Sequence, residues 1–542
     1  QTIVHEGPIL SDATKTSTTT ELIEEHVCVD GTIPIYRATG FGGKSIFQKT
    51  PLSDIFPSQR IPAILNAFDP RVPVDHHPLK HSVNKFGRDV IRSMPTDILD
   101  RAVIDITRLI RTRLPNRPLR TMTLDESILG LPEAGFEKIN IKTSPGLPWI
   151  WEKELPGKKT WVQIGEDGEI SLKADVMVEA YHEIDYNLHS GVISRNSFYE
   201  FPKDELRPIE KALTKTRSIT VMNFVFSLLY RKYFLDLEAA LHRMADGTFP
   251  SCVGINPHSK AWANMYNELR KRNSVGNDFD ISNWDGHFPG WLFDAVCRVF
   301  NSLYSDDNDI QRYSIFVNAC FGYTNFADIV LQKNRGMPSG FAGTATVNTI
   351  GHLILFYSFY LLQCRHVEVI PNINHFRSDI SCFFYGDDVI FTITEDLKDR
   401  GVTPAAFIRW YEYFGWPITS ASKIGDPSIE RPLLELSFLK RTFSIDSLFG
   451  TSVVYGKIEE SVIFDLLHWQ RKSQNNHQQF CSNICEALEF AYPYGKEYYD
   501  KLLDRIIQHL WSTPFGSKYR GVMFPTYEEQ RDELLYRYIF SN

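Results

Sequence analysis

The stretch CFFYGDDVIF at 382–391 constrains this chain more than any other. Two β-prone runs flank Gly386, Asp387 and Asp388. They read as a hairpin whose glycine tightens the turn and whose adjacent carboxylates stand at the tip. Two neighbouring acids at a hairpin are more often only a turn, so the segment needs partners before it implies chemistry.

The first partner is NDFDISNWDGHF at 277–288, which reads as a strand ending in Asp280, with Asp285 five positions on. A carboxylate set between Phe279 and Ile281 costs about several kcal/mol to bury unless something positive neutralises it. If this strand lies beside the hairpin, Asp280 and Asp387 can bridge two Mg2+ ions roughly 4 Å apart, a geometry suited to in-line phosphoryl displacement. The competing reading is two unrelated acids satisfied by Lys or Arg. The second partner is RGMPSGFAGTATVNT at 335–349, a Gly-rich loop running into a helix, with Ser339, Thr344 and Asn348 as its polar groups. Gly336, Gly340 and Gly343 allow a close backbone approach, which we read as an approach to nucleic acid.

Around these segments the chain alternates β-like runs and amphipathic helices from 275 to 445, which predicts an α+β layer with a largely antiparallel sheet. The last hundred residues read as mainly helical. With 542 residues and 43% hydrophobic content, two or three substructures are expected. The first 50 residues, with the Ser/Thr stretch SDATKTSTTT at 11–20 and few apolar clusters before Ile46, predict an extended strap.

A net charge of −8 argues against a protein that coats nucleic acid indiscriminately, so any basic surface must be local. One candidate is the run Arg108, Arg111, Arg113, Arg117 and Arg120, for which a solvated helix face is an equal alternative. Another is FPKDELRPIEKALTKTRSITV at 201–221, a ribbon carrying Lys203, Arg207, Lys211, Lys215 and Arg217. Eight cysteines at zinc-unlike spacings read as reduced thiols of an intracellular protein. Val347–Leu362 is apolar but interrupted by Asn348, Thr349, Gly351 and His352. It predicts a buried helix and no transmembrane segment.

The series TSPGLPW, KDELR, DISNWD, GMPSGFAGTATVNT, YGDD, SASK and FLKR spans 143 to 441 in one order. It resembles the RNA-dependent RNA polymerases of picornavirus-like positive-strand RNA viruses. The resemblance implies a right-hand fold. Residues 1–220 would be fingers with the N-terminal strap, 221–320 the first part of the palm and 321–338 a fingers insertion. Residues 339–436 would complete the palm, and 437–542 would be a mainly helical thumb.

The resemblance also assigns roles. Asp280, Asp387 and Asp388 would hold two Mg2+ ions, with Mn2+ able to substitute. Asp285, Ser339, Thr344 and Asn348 would read the ribose 2′-hydroxyl, and Lys203, Lys211 and Arg217 would receive the triphosphate. Lys423 would be the general acid toward pyrophosphate. Thr143, Ser144, Arg207, Gly340, Lys440 and Arg441 would contact RNA, while Trp149 and Trp151 are more often core than stacking platforms.

The implied partners are template and primer RNA, ribonucleoside triphosphates, a small genome-linked protein primer and a viral protease that frees the enzyme from a precursor. The implied location is the host cytoplasm, at membrane-associated replication complexes. One departure is the start Gln1-Thr2-Ile3, where the picornaviral enzymes begin with glycine, so a different activation or N-terminal placement is expected. Length and SPGLPW lean toward the iflaviruses or dicistroviruses of insects. The rival readings are a reverse transcriptase, which Asp285 with Asn348 disfavours, and an inactive RNA-binding scaffold, which would be marked by a lost acid.

Overall fold

The computed structural model describes residues 28–32, 43–73, 80–86, 89–173, 175–193, 198–423, 425–448, 451–514, 518–519 and 521–540. The Ser/Thr stretch at 11–20 and the start at Gln1 lie outside the described residues.

At the centre is an antiparallel sheet built from β1 (Val275–Ile281), β2 (Ile380–Tyr385), β3 (Asp388–Ile393) and β4 (Ile418–Ser420), in the order β2-β3-β1-β4. β2 and β3 pair from Ile380↔Ile393 to Tyr385↔Asp388, which leaves Gly386 and Asp387 as the turn, with Gly386 at φ +63°. That positive φ is where glycine relieves strain, and nothing else crowds the position. β3 pairs β1 through Val389↔Phe279, Ile390↔Asp278 and Phe391↔Asn277. Continued by one residue, this register sets Asp280 level with Asp388.

Alternation sorts each strand's side chains to two faces. Phe279, Phe384, Val389 and Phe391 join the main core. There they meet α2 (Thr344–His366) and α3 (Pro404–Phe414), which follow the short helix α1 (Trp284–His287) in the chain. The rings of Phe356 and Phe407 stack at 4.2 Å between α2 and α3. α3 has local reasons for its length: Thr403 caps its first turn, Pro404 sits where no amide partner is needed, and Gly415 ends it at φ +109°. α2 is apolar all round, as a fully enclosed helix must be. Among the described residues it alone is long and apolar enough to cross a membrane, and nearly all of it is buried in protein. The opposite sheet face, with Phe383 and Ile390, packs on Trp262 and Leu269 of the helix Lys260–Arg272.

A second sheet has the order Cys28–Thr32, Ile329–Gln332, Tyr323–Phe326, Phe198–Pro202, Ser218–Met222. Its one parallel pairing joins Tyr323–Phe326 to Phe198–Pro202. The C-terminal part begins with the hairpin of Arg441–Leu448 and Thr451–Ile458 and continues as helices Glu460–His468, Asn476–Ala491, Lys496–Ser512 and Tyr527–Phe540. Its separate core takes in Leu52 and Phe56 from the N-terminal segment.

That segment is a strap. Phe47–Lys49 pairs Trp469–Arg471, and Trp469 Nε1 donates to Arg60 O at 3.1 Å. Arg60–Pro62 then pairs Leu206–Pro208 of the basic ribbon, and Ser45 Oγ donates to Asp204 at 2.7 Å. Burial of Leu52 and Phe56 contributes about 1.5–3 kcal/mol each to seating the strap.

The arginine run, for which a basic surface and a solvated helix face are equal alternatives by sequence, is paired within the protein. Arg117 makes a bidentate bridge to buried Asp236, Arg120 one to Glu126, Arg113 reaches Asp246 and Thr248, Arg108 lies 3.6 Å from Asp105, and Arg111 donates to Ser302 O.

Candidate active site

The two adjacent acids of the turn face different surroundings. Asp387 is open to solvent, yet protein walls strip much of its hydration. That desolvation, with the charges of Asp388 and Asp285, pushes its pKa up to about 7, against a smaller opposing pull from Arg217. Asp388 is pushed up to about 6, chiefly by burial. Lys440 opposes that rise, Asp278 adds to it, and the Leu439 amide donates to the carboxylate. Asp280, level with Asp388 on β1, forms an ion pair with Lys423 across β4. Burial and nearby Lys211 pull the Lys423 pKa down, while its contact with Asp280 works to keep the proton.

Among the described residues no three His, Cys, Asp or Glu side chains form a ready metal cage. The donor chemistry nonetheless fits hard divalent cations: three carboxylates lie at one end of the sheet, two of them with pKa values raised chiefly by desolvation, and the third is covered by an ammonium. Asp280, Asp387 and Asp388 are the groups that would hold such ions.

Beside Asp387 stands the pair expected to read the sugar. Asn348 Nδ2 on α2 donates to Asp285 Oδ1 at 2.9 Å, and the buried Asn348 Oδ1 has no protein partner. Burial pushes the Asp285 carboxyl up, with Lys85, Asn348 and Arg217 acting against it. The helix-opening loop is pinned to the ribbon strand Ser218–Met222: Thr220 N donates to Ser339 Oγ at 2.9 Å, and Val221 bridges Gly340. A Cβ at Gly340 would fall 1.9 Å from Thr220 O, and those at Gly336 and Gly343 would strike Phe86 and Tyr230. The room these glycines leave is therefore taken by protein. The Thr344 hydroxyl donates within its own loop, to Pro338 O and Phe341 O.

The basic ribbon has an internal counter-charge that sequence reading passed over. Glu205 binds Arg217 through Nε at 2.6 Å and through Nη2, and it lies 3.3 Å from Lys203 and 3.7 Å from Arg207. Arg207 also donates to Lys215 O. Thr143 is held by buried Lys158, and Ser144 Oγ pairs Tyr199 Oη at 2.8 Å. Trp149 is core: it packs edge-on against Trp161 and donates to Asn223 Oδ1. Lys440 faces the acids, whereas Arg441 turns to Phe490 and is drawn by Glu486 and Glu489.

Sequence reading also missed Asp278, two residues before Asp280. Its carboxylate is 1% exposed and accepts from Arg431, from Ala421 N at 3.2 Å and from Ser437 N at 2.7 Å. It ties β1 to the loops bearing Lys423 and Lys440. The signal was the doubled acid in Asp278-Phe279-Asp280, in which alternation puts both carboxylates on one face.

An acid-tipped hairpin beside an acid-ended strand, packed on two helices and faced by a basic ribbon, defines the palm of a right-hand nucleic-acid polymerase fold. Residues 55–511 match the family described as viral RNA-dependent RNA polymerase. The chain belongs to that family. It is 29% identical over 428 residues to the RNA1 polyprotein of Tomato black ring virus, covering 75% of this chain and 18% of the relative. With the genome polyprotein of Rice tungro spherical virus (strain Vt6) it shares 27% identity over 474 residues, 82% of this chain and 13% of the relative. Both relatives are thus more than five times the length that this chain spans. Among solved structures, the Sicinivirus 3Dpol RNA dependent RNA polymerase has the same fold, with a TM-score of 0.74 at 23% identity over 93% of this chain and 98% of that one.

Proposed function

We propose that this chain copies an RNA template into RNA from ribonucleoside triphosphates, as the replicating enzyme of a positive-strand virus. The observation that carries the reading is the register placing Asp280 level with Asp388 at the tip bearing Asp387, next to the Asp285–Asn348 hydrogen bond. Residues 1–220 serve as fingers with the strap, 221–320 and 339–436 as palm, 321–338 as a fingers insertion and 437–542 as thumb.

Asp280 and Asp387 are the principal ligands for two Mg2+ ions, with Asp388 beside them. Bound there, divalent ions would acidify the primer 3′-hydroxyl and neutralise charge on the triphosphate. The rest falls to the chain. Arg217 and Lys203 exchange Glu205 for the incoming triphosphate, with Lys211 beside them. Asn348 Oδ1 accepts from the ribose 2′-hydroxyl, and Asp285 fixes the amide orientation. Lys423 releases Asp280 and gives its Nζ proton to the departing pyrophosphate. Thr143 and Ser144 guide the template, and Lys440 faces the primer strand.

Extension of a short RNA primer on a defined template with Mg2+ and ribonucleotides tests the reading; binding without extension in either Mg2+ or Mn2+ would overturn it. A sugar sensor that leaves an amide unpaired against a deoxynucleotide costs about 1–3 kcal/mol, so Asn348→Ala should relax the ribose preference by roughly tenfold to a hundredfold. Competition between paired nucleotides measures this, and an unchanged preference removes Asn348 from that role.

Metal binding must displace the protons that Asp387 and Asp388 retain up to about pH 7 and about pH 6. Mg2+ affinity should therefore rise from pH 6 to pH 8, with protons released. Without metal the sign reverses: an acid whose folded pKa is raised stabilises the fold below its unfolded value of 3.8, and that contribution is lost as pH climbs through about 7. Calorimetry in two buffers of different ionisation heat separates the effects. Because the relatives are polyproteins, we assign the chain's origin to protease release from a longer precursor, with a small protein as primer. Its place is the host cytoplasm, on membrane-associated replication complexes.

A further inference from the structure

The residue that follows Asn348, and another one helical turn on, hold the turn that carries Asp387. Gly386 N donates to Thr349 Oγ1 at 2.9 Å, and Thr349 in turn donates to Ala345 O at 2.7 Å. Gly386 O is 2.9 Å from His352 Nδ1, and His352 Nε2 is 2.6 Å from Tyr411 Oη on α3. A carbonyl can only accept, so Nδ1 carries a proton, and in the neutral ring that full burial favours, Nε2 takes the tyrosine hydrogen. The ring is fully buried. It lies against Trp284 at 4.6 Å and Phe384 at 4.8 Å, where a hydrocarbon ring would fill the same space. What the imidazole adds is a donor aimed at one backbone carbonyl, next to Asp387.

Two routes connect this clamp to the sugar pair. Asn348 adjoins Thr349 on α2, and Asp285 adjoins Trp284, whose indole lies on the His352 ring. We propose that His352, with Thr349, is a positioning residue that couples ribose recognition at Asn348 and Asp285 to the placement of Asp387, so that the sugar sensor and the metal-bearing turn move as one unit. This rests on Asp387 being a metal ligand, as assigned above.

The test uses the full chain with template–primer RNA and four variants. His352→Phe keeps an aromatic ring, somewhat larger than the imidazole, and removes both hydrogen bonds. His352→Asn returns a donor at the Nδ1 position. Thr349→Val removes the acceptor for Gly386 N, together with the hydroxyl's own bond to Ala345 O, while leaving both His352 bonds in place, and it stands in should His352→Phe not fold. Asp387→Asn is the control for the ligand assignment. Mn2+ binding is read by electron paramagnetic resonance, independently of turnover, alongside the Mg2+ dependence of extension, the ribose preference and RNA affinity.

His352→Phe should raise the Mg2+ needed for half-maximal extension and the Mn2+ dissociation constant about tenfold. It should also weaken the ribose preference and leave RNA affinity within about twofold. His352→Asn should recover most of each effect. Parent-like Mn2+ binding in both His352→Phe and Thr349→Val would overturn the coupling, as would equal losses in the Phe and Asn variants. Should Asp387→Asn itself bind Mn2+ like the parent, the ligand assignment beneath the proposal fails instead.

Discussion

Asp387→Asn should leave the chain folded and able to bind RNA, yet lower the rate of primer extension by about a thousandfold or more. The substitution keeps the side chain's size and sits in a turn whose conformation depends on Gly386, Thr349 and His352 rather than on the carboxylate. It removes the repulsion that desolvation and the neighbouring Asp388 and Asp285 impose on Asp387, so the metal-free protein should melt slightly higher above pH 7. Lost catalysis with retained or improved stability is the signature of a charge kept for chemistry. A single-turnover assay beside a thermal melt provides both readings, and parent-level extension would remove Asp387 from the metal site.

Arg431→Met should produce the opposite pattern, a loss of stability first. Asp278 is buried, and Arg431 is its only ionic partner among the described residues. Without the guanidinium, two backbone amides are left to satisfy an enclosed negative charge. Breaking a buried pair from one side costs roughly 3–5 kcal/mol, and the 24% exposure of the Arg431 side chain puts the expectation at the lower end. The double variant with Asp278→Asn should recover much of the loss, because no stranded charge remains. Denaturant titration of the single and double variants checks this, and additive losses would mean that the pair is not coupled. Since Asp278 also holds Ala421 and Ser437, extension should decline before unfolding does.

What could be read from the sequence was short-range. Residues 382–391 fold on themselves, so alternation and one glycine were enough to predict the hairpin, and α2 announced itself as an apolar run behind a Gly-rich loop. The Asp285–Asn348 contact joins residues 63 positions apart, and only the order of the motifs pointed to it. The arginines from 108 to 120 carry no acid among them, but Asp236 and Asp246 come to them from more than a hundred residues away, which no local count of charge could foresee. Glu205 was in plain view within KDELR, but tallying bases hid the carboxylate that gathers three of them. His352 counted only as an interruption of hydrophobicity, because a polar group's use inside a core depends on the backbone atom it meets. SPGLPW describes how a chain turns, which says little about a host.

The strap has a topological consequence. Palm leads to ribbon, ribbon pairs with strap, strap pairs with the strand Trp469–Arg471 between the C-terminal helices, and those return through the hairpin at 441–458 to the palm. A path closed in this way is a ring. A polymer lying through it would be retained by connectivity as well as by affinity, and it would leave by sliding to an end or by lifting the strap, which means parting both the pairing of Phe47–Lys49 with Trp469–Arg471 and the burial of Leu52 and Phe56. Residence time on a circularised or end-blocked strand would then be governed by the release of the whole strap, its strand pairing together with its buried Leu52 and Phe56, from the C-terminal part. On a linear strand it would be governed by distance to the nearest end.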